Sequence, residues 1–275
     1  MDYTFVIALC QTLHPLAKSP HLTAAAYPDR IAKVSGKEQT ALAWPWVMLD
    51  WLRVLGGGVC HQLPGHSLQV AGIPLPLCAR CTGTYLGSLL GLTTVIARRR
   101  LRASLVPPWP VLALFAIFFL AWGGDGLNSY LTLFPGFPHL YEPSNGLRLL
   151  TGTLQGLALS LTLWPVAGFT LWQVPERQQV ISFRETVVVV AIALAIVGAL
   201  LLPLPAALLA GAMLSILGLL SMFTLLNTLL LSVLRHQEGK LQATRDLLPA
   251  LGLAFALGTT ELLVLDLLRR AAFGA

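Results

Sequence analysis

Long apolar stretches separated by short polar segments make up most of the chain after residue 40. Six of them are about 20 residues long, which is the length that an α-helix needs to cross a hydrocarbon core of about 30 Å. They are Leu77–Ala97, Val106–Tyr130, Gly146–Trp172, Thr186–Leu202, Pro205–Leu234 and Leu247–Leu268. The pattern predicts an all-α fold, a polytopic transmembrane helix bundle.

A seventh and weaker candidate span covers Ala41–Val59 and contains two charged residues, Asp50 and Arg53. They lie three positions apart, so they share one face of a helix and can neutralise each other. We expect a spanning helix here, and a helix lying at the membrane interface is the alternative. The bundle therefore has six to seven predicted spans.

The predicted spans divide the chain into three regions. Residues 1–40 form an N-terminal cytoplasmic segment; its apolar run is short and follows no cationic region, so we do not expect a cleaved signal peptide. Residues 41–172 form the membrane core with the Cys/His cluster, and residues 173–275 form a C-terminal three-helix membrane extension. We expect this extension to face lipid. Its notable polar residues inside the spans are Asn227, Glu261 and Asp266.

The composition agrees with a membrane protein. Charged residues make up 11% of the chain and hydrophobic residues 56%, whereas soluble domains have roughly 25% charged residues. The mean hydropathy is +0.74. The formal net charge of +6 therefore indicates membrane topology and not a nucleic-acid partner, because basic residues collect in cytoplasmic loops.

The basic residues predict the orientation of the bundle. The Arg98–Arg102 cluster lies between two spans and is expected in the cytoplasm. Alternation of the spans places further basic loops on the same side, with Arg177, Arg184, Arg235, Lys240 and Arg245. The opposite loops, Cys60–Leu77 and Leu131–Asn145, contain no Lys or Arg. We therefore expect the N-terminus in the cytoplasm and the C-terminus outside, with Arg269 and Arg270 as the exception.

Three cysteines and one histidine lie close together in an otherwise apolar region. Cys60 and His61 are adjacent, and Cys78 and Cys81 form a CxxC pair at the start of a predicted span. Three thiolates and one imidazole are typical ligands of zinc. The spacing predicts a metal site at the outer membrane boundary, with zinc as the first candidate and other metals as alternatives. A redox-active dithiol, a structural disulfide and unreactive buried thiols are the competing interpretations.

Polar residues at the ends of the next two spans fall on the same predicted side. Asp125 lies near the end of one span, and Asn145, Arg148 and Thr151 lie at the start of the next. Ionisable groups inside a membrane usually face the bundle interior. We expect Asp125, Arg148 and Asn145 to share a pocket beside the cysteines. Asp125 and Arg148 are the candidate catalytic residues, Asn145 and Thr151 the candidate substrate-binding residues, and an internal ion pair is the alternative.

Glycines recur at four-residue spacing in two of the spans. They are Gly83, Gly87 and Gly91 in one span and Gly152 and Gly156 in another. Small residues at this spacing let two helix backbones approach closely. The spacing predicts close helix packing, although glycine is also simply frequent in membrane helices.

Several motifs resemble those of a prokaryotic family of integral membrane proteins, the domain of unknown function 2085. They are CHQLP at 60–64, LPLCARCTGTYLG at 75–87, the Asp125-Gly126 pair, and an N-x-x-R…T-G run at Asn145, Arg148, Thr151 and Gly152. The resemblance covers about residues 50–165 and implies a prokaryotic plasma membrane protein; the family supplies no established activity. One departure is His66-Ser67, where the family pattern has Arg before Ser. This departure makes His66 a further ligand candidate.

These features favour a membrane protein with a zinc site beside a polar pocket. Arg148 suits a phosphate or carboxylate, so one hypothesis is a metal-dependent enzyme acting on a lipid or isoprenoid phosphate. A thiol–disulfide and quinone oxidoreductase is the second hypothesis, and an accessory subunit with a structural metal site is the third. The expected partners are membrane lipid and either another membrane protein or further copies of the chain.

Overall fold

Seven long helices form a bundle in the part of the chain that the structure describes. This computed structural model describes residues 38–273, apart from 71, 133, 135–137 and 203. The helices are α1 (Glu38–Gly57), α2 (Ala79–Ala97), α3 (Trp109–Leu131), α4 (Asn145–Leu171), α5 (Phe183–Leu201), α6 (Pro205–Leu234) and α7 (Leu247–Phe273). The predictions for residues 1–37 lie outside the described residues.

The bundle confirms the predicted fold class, and most helix ends fall within three residues of the predicted spans. Helices α3 to α7 are long and apolar enough to cross a membrane. Helix α2 is richer in glycine, threonine and serine, which it tolerates because α4 and α6 pack along it. Helix α1 carries the Asp50–Arg53 pair, whose predicted contact is confirmed at 3.1 Å. The six to seven predicted spans thus correspond to seven helices.

Local sequence signals explain where several helices begin. The Ser144 hydroxyl accepts the Leu147 N–H at 3.2 Å and caps α4. Ser182 and Glu185 form a capping box at the start of α5. Four short strands lie in the loops: β1 (Gln69–Val70) pairs antiparallel with β2 (Ile73–Pro74), and β3 (Ala103–Leu105) pairs parallel with β4 (Glu176–Gln179).

Glycines bring α2 and α4 into backbone contact, as their spacing predicted. A Cβ atom at Gly87 would lie 1.9 Å from the Thr153 carbonyl oxygen, and one at Gly156 would lie 1.8 Å from the Thr84 carbonyl oxygen. Gly218 brings α6 equally close to the Tyr85 carbonyl on another side of α2. Helix α2 is therefore held at the centre of the bundle, and its first turn is fixed against both neighbours.

The loops gather at two opposite ends of the bundle. At the first, called here the basic end, Arg100 pairs with Glu185 at 2.7 Å and Arg102 donates to the Gln242 carbonyl at 2.6 Å. This end joins the loops 98–108, 172–182 and 235–246.

The second, called the cysteine end, joins the loops 58–78 and 132–144 to the end of α7. Here Asp266 pairs with both Arg269 and Arg270, at 3.0 and 2.7 Å. The Asp266 carboxylate neutralises part of the positive charge of Arg269 and Arg270, the two arginines that departed from the predicted distribution of basic residues. Which end faces the cytoplasm stays a prediction.

Candidate metal centre and polar pocket

The three cysteines converge at the start of α2. Their sulfur atoms all lie within 4.8 Å of one another, and all three thiols are free. The Cys60 sulfur accepts the backbone N–H of Cys78 at 3.2 Å and that of Gln62 at 3.5 Å. A metal ion binds cysteine sulfur in the thiolate form. The cluster could therefore hold a metal ion, and this part of the prediction is confirmed.

Gln62 fixes the loop that carries Cys60. Its side-chain amide donates to the Arg53 carbonyl at 2.7 Å and to the Pro76 carbonyl at 2.8 Å, so it ties the end of α1 to the segment before Cys78. Gln62 itself has a φ of 53°, in the left-handed region that a non-glycine residue seldom adopts. Two side-chain hydrogen bonds thus hold an uncommon backbone conformation beside the cysteines.

Helices α6 and α7 cover the cysteine cluster. Cys60 is 3% exposed and packs in one apolar cluster with Ile216 and Leu219 of α6 and Leu262 of α7. The C-terminal helices were expected to face lipid, and two of them also cover the cysteines. The sequence did not predict this contact, because an apolar helix surface has the same sequence pattern whether it meets lipid or a neighbouring helix.

His61 is not among the groups that converge with the three thiols, and its side chain is exposed. The structure therefore does not bring the fourth predicted ligand together with the other three. The thiols interact with one another: hydrogen bonds with the Cys60 and Cys81 thiols lower the pKa of Cys78, and the hydrogen bond with Cys78 raises the pKa of Cys60. The cluster thus favours one thiolate, at Cys78, just before the first turn of α2.

The other face of α2 carries a buried ion pair. Arg80 donates to a carboxylate oxygen of Asp125, which is 3% exposed, and to the Ser129 hydroxyl at 3.1 Å. A direct ion pair between Asp125 and Arg148 was the alternative considered from the sequence, and among the described residues the carboxylate pairs with Arg80 instead. Arg80 extends from α2 towards α3, where its guanidinium lies beside Gly126. The Nε atom of Arg80 is buried and has no hydrogen-bond partner among the described residues.

Arg148 lies at the start of α4 and is 6% exposed. Its guanidinium donates to the Asn145 side-chain oxygen at 2.8 Å, which confirms the expected contact between these two residues. Among the described residues, no carboxylate lies within salt-bridge distance of Arg148. It does lie within electrostatic range of Arg80, Asp125 and Cys78. The buried Arg148 and the partly buried Arg80 therefore lie near one carboxylate, which pairs with Arg80 alone.

Asn145 is a positioning residue in this structure. Its amide donates to the Gly65 and Ser67 carbonyls at 3.2 and 3.3 Å, which ties the loop after Cys60 to α4 while its oxygen holds Arg148. The Thr151 hydroxyl donates to the Leu147 carbonyl of its own helix at 2.9 Å. The substrate-binding roles predicted for Asn145 and Thr151 stay predictions.

The loop between α3 and α4 closes the pocket. The Asn128 side-chain oxygen accepts the Leu140 N–H at 2.7 Å, and its amide donates to the Tyr141 carbonyl at 2.8 Å. The Tyr141 hydroxyl donates to the Asp125 carboxylate at 2.9 Å. Burial and this hydrogen bond raise the pKa of Tyr141, so its hydroxyl remains a donor at neutral pH.

His66 is half-buried beside the same pocket. Burial lowers its pKa, and the nearby positive charge of Arg148 lowers it further. A neutral imidazole therefore borders the pocket at neutral pH. His66 was a further ligand candidate, but it does not belong to the group of converging thiols.

Comparison with known proteins supports the resemblance stated from the motifs. Residues 60–162 match the family described as predicted membrane protein (DUF2085). A relative, the uncharacterized protein MJ1492 of Methanocaldococcus jannaschii, is 28% identical over 109 residues, which are 39% of this chain and 63% of that protein. The chain therefore matches somewhat less than two thirds of that relative's length. No solved structure matches the chain.

The segment that matches the family model contains both clusters but only part of their surroundings. The three converging cysteines, the Arg80–Asp125 pair and Arg148 all lie inside residues 60–162. Helices α1, α6 and α7, which pack around the cysteines, lie outside it.

Sequence reasoning missed Arg80 and Tyr141 as members of the pocket. Arg80 was available from the sequence, since it is the one charged residue between Cys78 and Arg98 and a charge in a membrane span needs a partner. Tyr141 gave no such signal, because it lies in a loop whose path depends on Asn128.

Proposed function

We propose that this membrane protein binds the anionic head group of a lipid phosphate, with an isoprenoid phosphate as the best fit, in the pocket around Arg148. The observation that carries the proposal is the buried guanidinium of Arg148, which has Asn145 but no carboxylate beside it. A buried charge without an opposite charge costs several kcal/mol. An anionic ligand removes this cost.

A phosphate fits the donors that surround Arg148. An arginine fork matches phosphate oxygens in pairs, and the neighbouring Arg80 has an unpartnered Nε. Asp125 is already bonded by Arg80 and Tyr141, so it does not repel an anion as strongly as a free carboxylate would. Counting arginine and carboxylate groups alone, the pocket then carries two positive charges against one negative charge.

The position of the pocket favours a lipid over a water-soluble phosphate. Asp125 lies in the last third of α3, a helix apolar enough to span the membrane. Gly123 and Gly124 precede it, and the space beside both is open. An isoprenoid chain can therefore lie against α3 while its phosphate reaches Arg148.

The proposal is tested with farnesyl phosphate and farnesol, which differ only in the phosphate. Thermal unfolding of the purified full-length protein is measured with each, for the unchanged chain and for Arg148→Gln. Farnesyl phosphate should stabilise the unchanged protein, by about 2.7 kcal/mol at a hundredfold excess over Kd, and farnesol should not. The stabilisation should disappear in Arg148→Gln and persist in the control Arg53→Gln, whose arginine pairs with Asp50 outside the pocket. Equal stabilisation by both compounds contradicts the proposal.

We propose in addition that the three cysteines hold a structural zinc ion. Ligation at ~2.3 Å places sulfur atoms about 3.8 Å apart, which the observed cluster can reach by a small contraction. Zinc supplies a clamp between the loop at Cys60 and the start of α2, and His61 or another group completes its shell. One zinc per purified chain supports this assignment. A disulfide with no metal favours the thiol–disulfide relay instead.

We also propose that the cysteine end faces the outside of a prokaryotic plasma membrane. The support is the loop pattern, because the basic end carries the arginine-rich loops. A cysteine placed at Arg245, which is exposed at the basic end, should resist an impermeant thiol reagent in intact cells. One placed at His139 should react. The reverse labelling contradicts the orientation.

A further inference from the structure

A cavity of about 350 Å³ lies at the basic end, between the end of α6 and the start of α7. Its apolar wall includes Leu171 of α4, Leu231 of α6 and Leu253 of α7. Leu253 is 43% exposed, so this wall continues onto the outer surface of the bundle. The cavity lies at the opposite end from the Arg148 pocket.

Two basic side chains line the other part of the same cavity. Arg235 ends α6, and Lys240 follows in the next loop. Neither forms an ion pair or a side-chain hydrogen bond with the described residues. The one acidic group in the lining is Asp246, and its carboxylate accepts the backbone N–H groups of Gln242 and Ala243 at 3.2 and 2.8 Å. The cavity therefore presents two basic side chains without an ion-pair partner, against one carboxylate that is bonded to the backbone, beside an apolar wall.

The loop that presents these charges is held in place. Gly239 donates to the Thr170 carbonyl at 2.9 Å, and the Leu241 N–H donates to the Leu171 carbonyl at 3.1 Å. Gly239 has a φ of +66°, a conformation that glycine adopts without strain. The backbone on both sides of Lys240 is thus bonded to the end of α4, so the attachment point of this side chain at the cavity is fixed before any ligand binds.

We propose that this cavity binds an anionic glycerophospholipid from the leaflet at the basic end. The head-group phosphate lies between Arg235 and Lys240, and an acyl chain lies along Leu231 and Leu253. Basic pockets between membrane helices suit anionic head groups, and each nearby Lys or Arg adds to the attraction. A zwitterionic lipid offers the same acyl chains but no net charge to match the two cations. This site is independent of the function proposed for Arg148.

The test measures lipid binding to the delipidated full-length protein in detergent. Phosphatidylglycerol and phosphatidylcholine with identical acyl chains are titrated, and retained lipid is counted by native mass spectrometry. The unchanged protein should prefer phosphatidylglycerol. The double variant Arg235→Gln/Lys240→Gln should bind it roughly 30-fold more weakly, the loss expected for two basic residues near a membrane surface. Both side chains are exposed, so the variant should fold normally.

A matched control separates the cavity from general surface charge. Arg177→Gln/Arg184→Gln removes the same charge from the same end, at two exposed residues outside the cavity, and should keep the preference. Ala250→Phe narrows the cavity but keeps its charges, and it should lower phosphatidylglycerol binding. Equal losses in the two double variants, or unchanged binding in Ala250→Phe, would overturn the proposal. The response to farnesyl phosphate should be the same in all these variants.

Discussion

Two faces of the first turn of α2 differ in what surrounds them. Cys78 and Cys81 point towards α6 and α7 and pack with Leu219 and Leu262. Arg80, between them in sequence, points towards α3 and pairs with Asp125. One turn of helix thus separates a cluster of soft ligands in apolar surroundings from a network of charges.

The two faces differ in how far their own side chains satisfy one another. The cysteine face is covered by neighbouring helices, and Cys60 is 3% exposed. On the opposite side, Arg80 and Arg148 lie near the single carboxylate of Asp125, so one positive charge lacks a partner among the described residues. We therefore place the structural role on the cysteine face and the binding role on the arginine face.

The largest expected effect is the loss of the cysteine cluster. Cys81→Ser removes one of three converging thiols and should abolish metal binding. We expect it to lower the free energy of unfolding by more than about 5 kcal/mol, because structural zinc contributes on the order of 10 kcal/mol in small domains. Metal content and thermal unfolding in detergent are the measurements. Cys10→Ser is the control, because it makes the same substitution at a cysteine that is not one of the three converging thiols. A metal-free Cys81→Ser protein of unchanged stability contradicts a structural metal.

Removal of the Asp125 carboxylate should give the next largest effect. Asp125→Leu leaves the partly buried Arg80 without its partner, and breaking a fully buried pair costs roughly 3–5 kcal/mol, so we expect a loss at or below the lower end of this range. Adding Arg80→Met should restore much of this stability, because both charges are then gone. Adding Arg148→Met in its place should restore less, since Arg80 still lacks a partner. Urea unfolding of the two double variants distinguishes them. Equal rescue by both contradicts the Arg80–Asp125 assignment.

The sequence predicted the cysteine cluster better than the charge network. The Cys60, Cys78 and Cys81 spacing indicates one site wherever the rest of the chain goes, because two of the thiols share a helix turn. The partner of Asp125 depends on how α2 is rotated about its axis. That rotation is set by backbone contacts at Gly87 and Gly156. The glycine spacing predicts that the helices pack closely, but it does not predict the rotation of α2.

The cover over the cysteines could not be predicted for a different reason. Helices α6 and α7 are apolar over most of their length, and this composition suits both lipid and a helix neighbour. Only the fold shows that Leu262 meets Cys60. Asp266 pairs with Arg269 and Arg270, contacts that their i, i+3 and i, i+4 spacing allows on a helix. The distribution of basic residues among the loops, taken alone, presented these two arginines as an exception to the predicted orientation.

A smaller effect of opposite sign is expected at Arg148. Arg148→Met removes a buried charge that has no carboxylate partner, so the ligand-free protein should become more stable by about 1–2 kcal/mol. The same change should remove the stabilisation by farnesyl phosphate. Chemical unfolding with and without that compound measures both effects. A large loss of stability in ligand-free Arg148→Met would show that the pocket already neutralises this arginine.

The smallest expected effect is a pH dependence at His66. Its pKa is lowered in the folded protein, first by burial and then by the charge of Arg148, so the unfolded chain binds the proton more readily. Stability should therefore be full above the ordinary histidine pKa of about 6.5 and fall as the pH drops towards the lowered value. His66→Gln should reduce this loss, and His236→Asn, at the basic end, should leave it unchanged.

A bound phosphate offsets the charge of Arg148, so farnesyl phosphate should also weaken the pH dependence of stability in the unchanged protein. Thermal unfolding between pH 5 and 8, with and without the ligand, tests whether His66 and Arg148 act in one pocket. An acid sensitivity that neither His66→Gln nor the ligand reduces would place His66 outside it.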